Sequence, residues 1–78
     1  MTTFQIPIHY VREYVTYTLT NHQRRALLQF GGGFRIDGRS QTALINKGLL
    51  RKQYYPDKIE LTHDGKILRN MVIEDLIP

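Results

Sequence analysis

The chain has 78 residues, a net charge of +4 and no cysteine, which indicates one small domain without disulfides or thiolate metal sites. A domain of this size buries only about 60% of its unfolded surface, which leaves little room for a catalytic pocket. No apolar run reaches the roughly 20 residues of a membrane helix, and residues 1–5 lack the basic start of a secretory signal. We therefore predict a single cytoplasmic domain over residues 1–78 with no membrane partner.

Positive charge is concentrated in the middle of the chain. Residues 20–58 contain eight Lys and Arg and two Asp, a net charge of +6, whereas the flanking segments together carry −2. This pattern favours a polyanionic partner such as nucleic acid. The alternative is an ordinary solvated basic surface, and charge alone does not separate the two.

β-Branched and aromatic residues dominate positions 4–19. Apolar residues alternate from Val11 to Leu19, with Glu13 as the exception, which favours a strand over 11–18. A helix that begins at Pro7 is the alternative, because proline is common at the first helical position. An edge strand here would need a partner, and a second copy of the chain would supply one.

A helix is predicted after Thr20, which has the capping-box spacing to Gln23. Gly31 fits the position after its C-terminus, since glycine adopts positive φ freely. Residues 31–39 are rich in glycine and indicate a loop, within which 34–36 would form a short strand. The apolar face of this helix would be Ala26, Leu27 and Phe30.

A second helix is predicted over 40–47, with Ser40 as its N-cap and Gly48 as its end. A β-hairpin should follow, because two strand-like runs flank residues 55–58, which have the composition of a type I turn. In that register Tyr54 pairs with Ile59 and packs inward, and Tyr55 is exposed at the tip.

The last predicted helix begins after Thr62, with Asp64 in its first turn. Its apolar stripe should face the core. This stripe is Ile67, Leu68, Met71 and Val72.

Three segments resemble winged helix-turn-helix domains. Residues 19–28 are similar to the "L-T-x-x-Q-R-x-x-L" opening of many such domains, residues 43–50 to "A-L-x-x-[KR]-G-L-[ILV]", and residues 59–68 to "y-x-L-T-x-x-G-[KR]-x-[IVL]". The resemblance covers about 19–72, and it is greatest to the compact forms common in phages and mobile elements.

The resemblance implies an α+β fold with a core over 19–72 and an N-terminal β-rich extension over 4–18. It also implies a recognition helix, a β-hairpin wing and a C-terminal helix. Only residues 31–39 separate the first predicted helix from the second. This segment is too short for the usual positioning helix, which is therefore expected to be shortened to a loop.

Duplex DNA is the partner that this family implies. Arg pairs with guanine, and Asn or Gln with adenine, while a helix N-terminus suits phosphate and basic wing residues neutralise the backbone. The predicted DNA-binding residues are Arg35, Arg39, Ser40, Gln41, Thr42, Asn46, Arg51, Lys52, Tyr55 and Lys58.

Other chemistry is weakly indicated. The glycine-rich run at 31–38 follows a helix and lacks Gly-Lys-Ser/Thr, unlike phosphate-binding loops. His9, His22 and His63 have no metal-ligand spacing, and no catalytic arrangement is evident. We therefore predict no metal, no cofactor and no enzyme activity.

The predicted function is a small DNA-binding regulator of transcription, of phage or mobile-element type. The alternative is a protein-interaction adaptor or inhibitor with the same fold. A homodimer would form through the N-terminal strand or the C-terminal tail at Leu76 and Ile77.

Overall fold

A computed structural model describes residues 1–8, 13–55 and 57–76 of the chain. Within them the fold is α+β, as predicted, with two antiparallel hairpins and three helices. No helix in this part of the chain has the length and apolar character needed to span a membrane. The elements are β1 (Thr2–Ile8), β2 (Glu13–Leu19), α1 (Asn21–Gly31), α2 (Gly38–Asn46), β3 (Leu50–Tyr54), β4 (Asp57–Leu61) and α3 (His63–Leu76).

The N-terminal segment is a hairpin rather than one strand. β1 and β2 pair antiparallel, with Thr2 opposite Leu19. The strand predicted over 11–18 is thus present as β2, although Val11 lies outside the described residues. The helical alternative is wrong, because Pro7 itself belongs to β1.

β1 supplies the pairing partner that β2 needs, so a second copy is not required for that contact. Alternation along β1 buries Phe4 and Ile6 in the same cluster as Leu27 and Leu68. The buried core therefore includes residues outside 19–72.

The capping box of α1 is confirmed. Thr20 Oγ1 accepts a hydrogen bond from the Gln23 N–H, and Gln23 Oε1 accepts one from the Thr20 N–H, both at 3.1 Å. The predicted helix end is wrong, because Gly31 is still helical and Gly33 takes the positive φ, at 90°. Gly32 is the C-cap, and the chain turns at Gly33, where glycine tolerates the positive φ.

Residues 32–37 connect α1 to α2 without a helix or a strand. The strand predicted over 34–36 is absent, because the Phe34 N–H donates to the Gln29 carbonyl at 2.9 Å instead of to a neighbouring strand. The segment thus folds back on the end of α1, and the predicted loop is present over residues 32–37.

α2 begins two residues before the predicted start. The carboxylate of Asp37, rather than the hydroxyl of Ser40, is the N-cap, and it accepts the Ser40 N–H at 3.3 Å. The helix ends at Asn46, and Gly48 follows with φ 79°, as predicted.

The β3–β4 hairpin is present, but its register differs from the prediction. Tyr54 pairs with Asp57, and Lys52 pairs with Ile59. The predicted pairing of Tyr54 with Ile59 and the turn over 55–58 are therefore wrong, and Pro56 lies outside the described residues. Asp57 belongs to β4 instead of the turn, and Tyr54 is 69% exposed rather than packed inward.

α3 packs its predicted stripe into the core. Thr62 Oγ1 accepts the Gly65 N–H at 3.0 Å, which confirms the predicted cap. A Cβ at Gly65 would collide with the carbonyl oxygen of Leu49, so glycine allows α3 to approach the base of the hairpin closely. The buried apolar core is Phe4, Ile6, Leu19, Ala26, Leu27, Leu44, Leu49, Leu50, Leu68 and Val72.

Candidate nucleic-acid interface

The outer side of α2 carries Arg39, Thr42 and Asn46. All three are exposed and lie opposite Leu44, which is fully buried. The Thr42 hydroxyl donates to the Gly38 carbonyl at 2.9 Å, so it has only acceptor capacity left for a ligand. This line presents a guanidinium, an acceptor and an amide along two turns of helix.

Ser40 is not on this surface, contrary to the prediction. Ser40 is 2% exposed, and its hydroxyl has no hydrogen-bond partner among the described residues. The earlier start of α2 puts Ser40 in the first turn, four residues before Leu44 and on the same inner side. It therefore cannot contact a phosphate as a helix cap.

Asp37 now occupies the position that Ser40 was expected to hold. Its hydrogen bond with Ser40 is the main cause that lowers the pKa of the carboxyl, and His22 Nε2, at 3.6 Å, adds to it. A carboxylate at this helix end disfavours a phosphate there, because it is itself the anion on the helix dipole.

Gln41 lies at the side of α2, beside a groove rather than on its outer line. Two adjoining depressions of about 370 Å³ each share Phe30, Gln41 and Ile59 as lining residues, so together they form one open groove. We name this the wing groove. Its remaining lining residues are Gly33, Phe34, Arg35, Ile36, Lys52, Asp57 and Lys58.

The outer face of the hairpin carries an ion-pair cluster. Glu60 lies opposite Arg51 in register and bonds to its guanidinium, and Lys58 Nζ is 3.8 Å from the same carboxylate. The bond from Arg51 is the main cause that lowers the pKa of Glu60. Glu60 therefore neutralises part of the positive charge that the sequence assigns to the hairpin.

Lys52 and Tyr54 share the other face of the hairpin. Alternation places them with Ile59, on the side that faces the groove. Lys52 Nζ lies 5.5 Å from the centre of the Tyr54 ring, within cation–π range. Tyr55 is 93% exposed, which agrees with its predicted position at the tip.

Arg35 and Phe34 stand on the opposite rim of the wing groove. Both are exposed, and the Phe34 ring is 69% accessible. Phe34 and Tyr54 were not among the predicted site residues. The sequence did contain a signal for Phe34. An aromatic residue beside an arginine in a glycine-rich loop is expected to be exposed, because such a loop has no regular apolar pattern that would bury it.

Besides Arg51 and Lys58, two more basic residues of the 20–58 segment have structural contacts. Arg24 donates to Asp75 Oδ2 at 2.9 Å and to Thr2 Oγ1 at 3.1 Å. Lys47 Nζ donates to the Thr18 carbonyl at 2.9 Å. These contacts join α1 and α2 to the N-terminal hairpin and α3, so the charge available to a ligand is smaller than the +6 of the segment.

Among the residues that the structure describes, no three His, Asp or Glu side chains are grouped closely enough to hold a metal ion. Comparison with protein-family models, curated protein sequences and solved structures finds no match to this chain. Function must therefore be inferred from the surface itself.

Proposed function

We propose that the protein binds duplex DNA through α2 and the β3–β4 hairpin, in the manner of a compact winged helix-turn-helix domain. In this proposal α2 is the recognition helix and the hairpin is the wing. The regulatory role, the phage or mobile-element type and the homodimer remain predictions, as does the lack of enzyme activity.

The observation that carries the proposal is the exposed line of Arg39, Thr42 and Asn46 on α2. A helix fits the major groove, and guanidinium and amide groups form paired hydrogen bonds with guanine and adenine edges there. The hairpin beside α2 adds the exposed cations Arg51, Lys52 and Lys58, which suit backbone phosphates.

Docking would differ from that of the usual domain. Residues 32–37 contain no helix, so the contact that a positioning helix makes with the DNA backbone must come from other residues. Arg35 is the exposed cation of this segment and is the natural substitute.

A gel-shift series with random-sequence duplex tests the proposal. No base is fixed opposite Arg39 in a random duplex, so Arg39→Ala should weaken binding and reduce the salt slope by about one through the loss of one cation, and Arg39→Lys should keep that slope. Lys52→Ala should weaken binding to all sequences alike and reduce the salt slope by about one. The lack of any shift at roughly 50 mM salt, where phosphate contacts are strongest, would contradict the proposal.

Two features favour a protein-interaction module as the second candidate. Arg51 and Lys58 are already partnered by Glu60, and Tyr54 and Tyr55 are exposed beside them, as aromatic anchors of protein interfaces are. This candidate expects a protein partner that stays bound after nuclease treatment, together with no binding to duplex.

A further inference from the structure

We propose that the wing groove binds single-stranded nucleic acid, with an unpaired base stacked on Phe34. This inference rests on the proposed function, because it assumes that the same basic surface contacts nucleic acid. It adds a second mode of binding, which uses the groove between the hairpin and residues 33–36 instead of the outer line of α2.

The groove has an apolar floor and charged rims. Phe30, Ile36 and Ile59 are partly buried and pack against the core, while their accessible surface lines the groove. Arg35 stands on one rim, and Lys52 and Lys58 stand on the other. Asp57 also lines the groove, and Lys58 Nζ lies 3.8 Å from the Glu60 carboxylate, so Arg35 and Lys52 are the two groove cations outside the ion pairs of the described residues.

An exposed aromatic residue lies beside the cation on each side of the groove. Phe34 lines the groove next to Arg35, and Tyr54, although it does not line the groove, has its ring centre 5.5 Å from Lys52 Nζ; each residue is 69% exposed. Surfaces that bind single strands alternate aromatic rings with cations, since bases stack on the rings while phosphates contact the charges. In a duplex the base faces are covered by neighbouring base pairs, so these rings would have nothing to stack on.

Gln41 lies between the two rims. This residue lines both halves of the groove, and its side-chain amide has donor and acceptor capacity for the edge of an unpaired base. Each half of the groove, at about 370 Å³, is within the size range of small-ligand sites, roughly 300–1,000 Å³. The groove is therefore large enough to admit a base together with its sugar.

Fluorescence anisotropy with labelled probes tests the inference. The probes are oligo(dT) and oligo(rU) of about 12 nucleotides, within the range of site sizes for such surfaces, and a random duplex of the same length. Phe34→Ala should weaken binding to the single strands about 5- to 100-fold, the effect of losing one stacked base, and should change duplex binding by less than about twofold.

Matched variants separate stacking from other effects. Phe34→Trp should keep single-strand binding, because it retains an aromatic face. Tyr14→Ala removes a ring that is 60% exposed on β2 and does not line the groove, so it should have no effect. Far-UV circular dichroism should be unchanged in Phe34→Ala, since the residue is held by its backbone N–H.

The outcomes are distinguishable. Binding to either single strand that depends on Phe34 supports the inference, even if duplex binding is absent and the duplex proposal fails. Duplex binding without single-strand binding overturns the inference alone, as does a Phe34→Ala variant that binds the single strands normally or loses both forms equally. No binding to any probe at low salt overturns both.

Discussion

At the scale of single residues, the Tyr17 hydroxyl joins β2 to the first turn of α3. It donates a hydrogen bond of 2.5 Å to Asp64 Oδ2 in a partly buried position. Burial, followed by the bond and the charge of Asp64, raises the pKa of Tyr17 to about 12. The folded protein therefore holds the phenolic proton more tightly than the unfolded chain does.

We expect Tyr17→Phe to lower the free energy of unfolding by about 1 to 2 kcal/mol at neutral pH, because the bond has a charged acceptor. A raised pKa stabilises the fold fully below the unfolded value near 10, and this stabilisation is lost as pH rises toward 12. The difference between the wild-type and variant proteins should therefore shrink over pH 10 to 12 in urea titrations.

Tyr14→Phe is the matched control, since Tyr14 is an exposed residue of the same strand. It should leave stability unchanged at every pH. A Tyr17→Phe variant as stable as wild type would show that the contact with Asp64 does not contribute to folding.

At the scale of elements, the start of α2 decides which side chains face the solvent. The cap at Asp37 sets the helix three residues earlier than a cap at Ser40 would, which changes Ser40 from a surface residue into a buried one. A serine and an aspartate three residues apart both have good capping chemistry, so local sequence does not choose between them.

We expect Asp37→Ala to destabilise the protein at pH 7 and Asp37→Asn to retain most of the stability, because Asn is an equally good cap. The hydrogen bond with Ser40 lowers the pKa of Asp37, so its stabilising effect is present above the unfolded pKa near 4. This effect is lost as pH falls through the folded pKa.

Thermal melts at pH 7 and at about pH 3 would show this loss. At the lower pH the melting temperature of the wild-type protein should approach that of Asp37→Ala. The difference between Asp37→Asn and Asp37→Ala should change little between the two pH values. Equal melting temperatures of all three proteins at pH 7 would show that Asp37 does not stabilise the fold as the N-cap of α2.

At the scale of the whole molecule, the distribution of charge matters more than its sum. Arg24 and Lys47 hold elements together, and Glu60 pairs with Arg51 and Lys58, so few cations of the central segment are left for a ligand. Glu60 thus limits the electrostatic attraction of the hairpin for a polyanion.

We expect Glu60→Gln to strengthen duplex binding and to steepen its salt dependence by up to about two phosphate contacts, because Arg51 and Lys58 are released. Glu74→Gln is the matched control, since it changes the net charge equally from an exposed position on α3. Gel shifts over a salt series would compare them, and equal effects of both variants would mean that only net charge matters.

Much of the fold could be predicted because its signals are local. The capping box at Thr20, the left-handed Gly48 and the cap at Thr62 each act within a few residues. The alternation at Val15, Tyr17 and Leu19 likewise follows from strand geometry alone.

The candidate site was harder to predict because it depends on pairing across elements. The register of the hairpin put Lys52 rather than Tyr54 opposite Ile59, and it left Tyr54 exposed opposite Asp57. Glu60 pairs with Arg51 because the strand register places them opposite each other. The basic segment defined from the sequence ended at residue 58, so it did not include Glu60.

The sequence by itself determined the α+β class, most helix and strand types and the concentration of positive charge, because caps, alternation and composition act over short distances. Only the tertiary structure decided that the N-terminal segment pairs with itself, that Ser40 is buried and that the cations divide between α2, the ion pairs with Glu60 and the wing groove. The physical reason is that burial and ion pairing depend on which faces meet, and faces meet only when distant segments pack together.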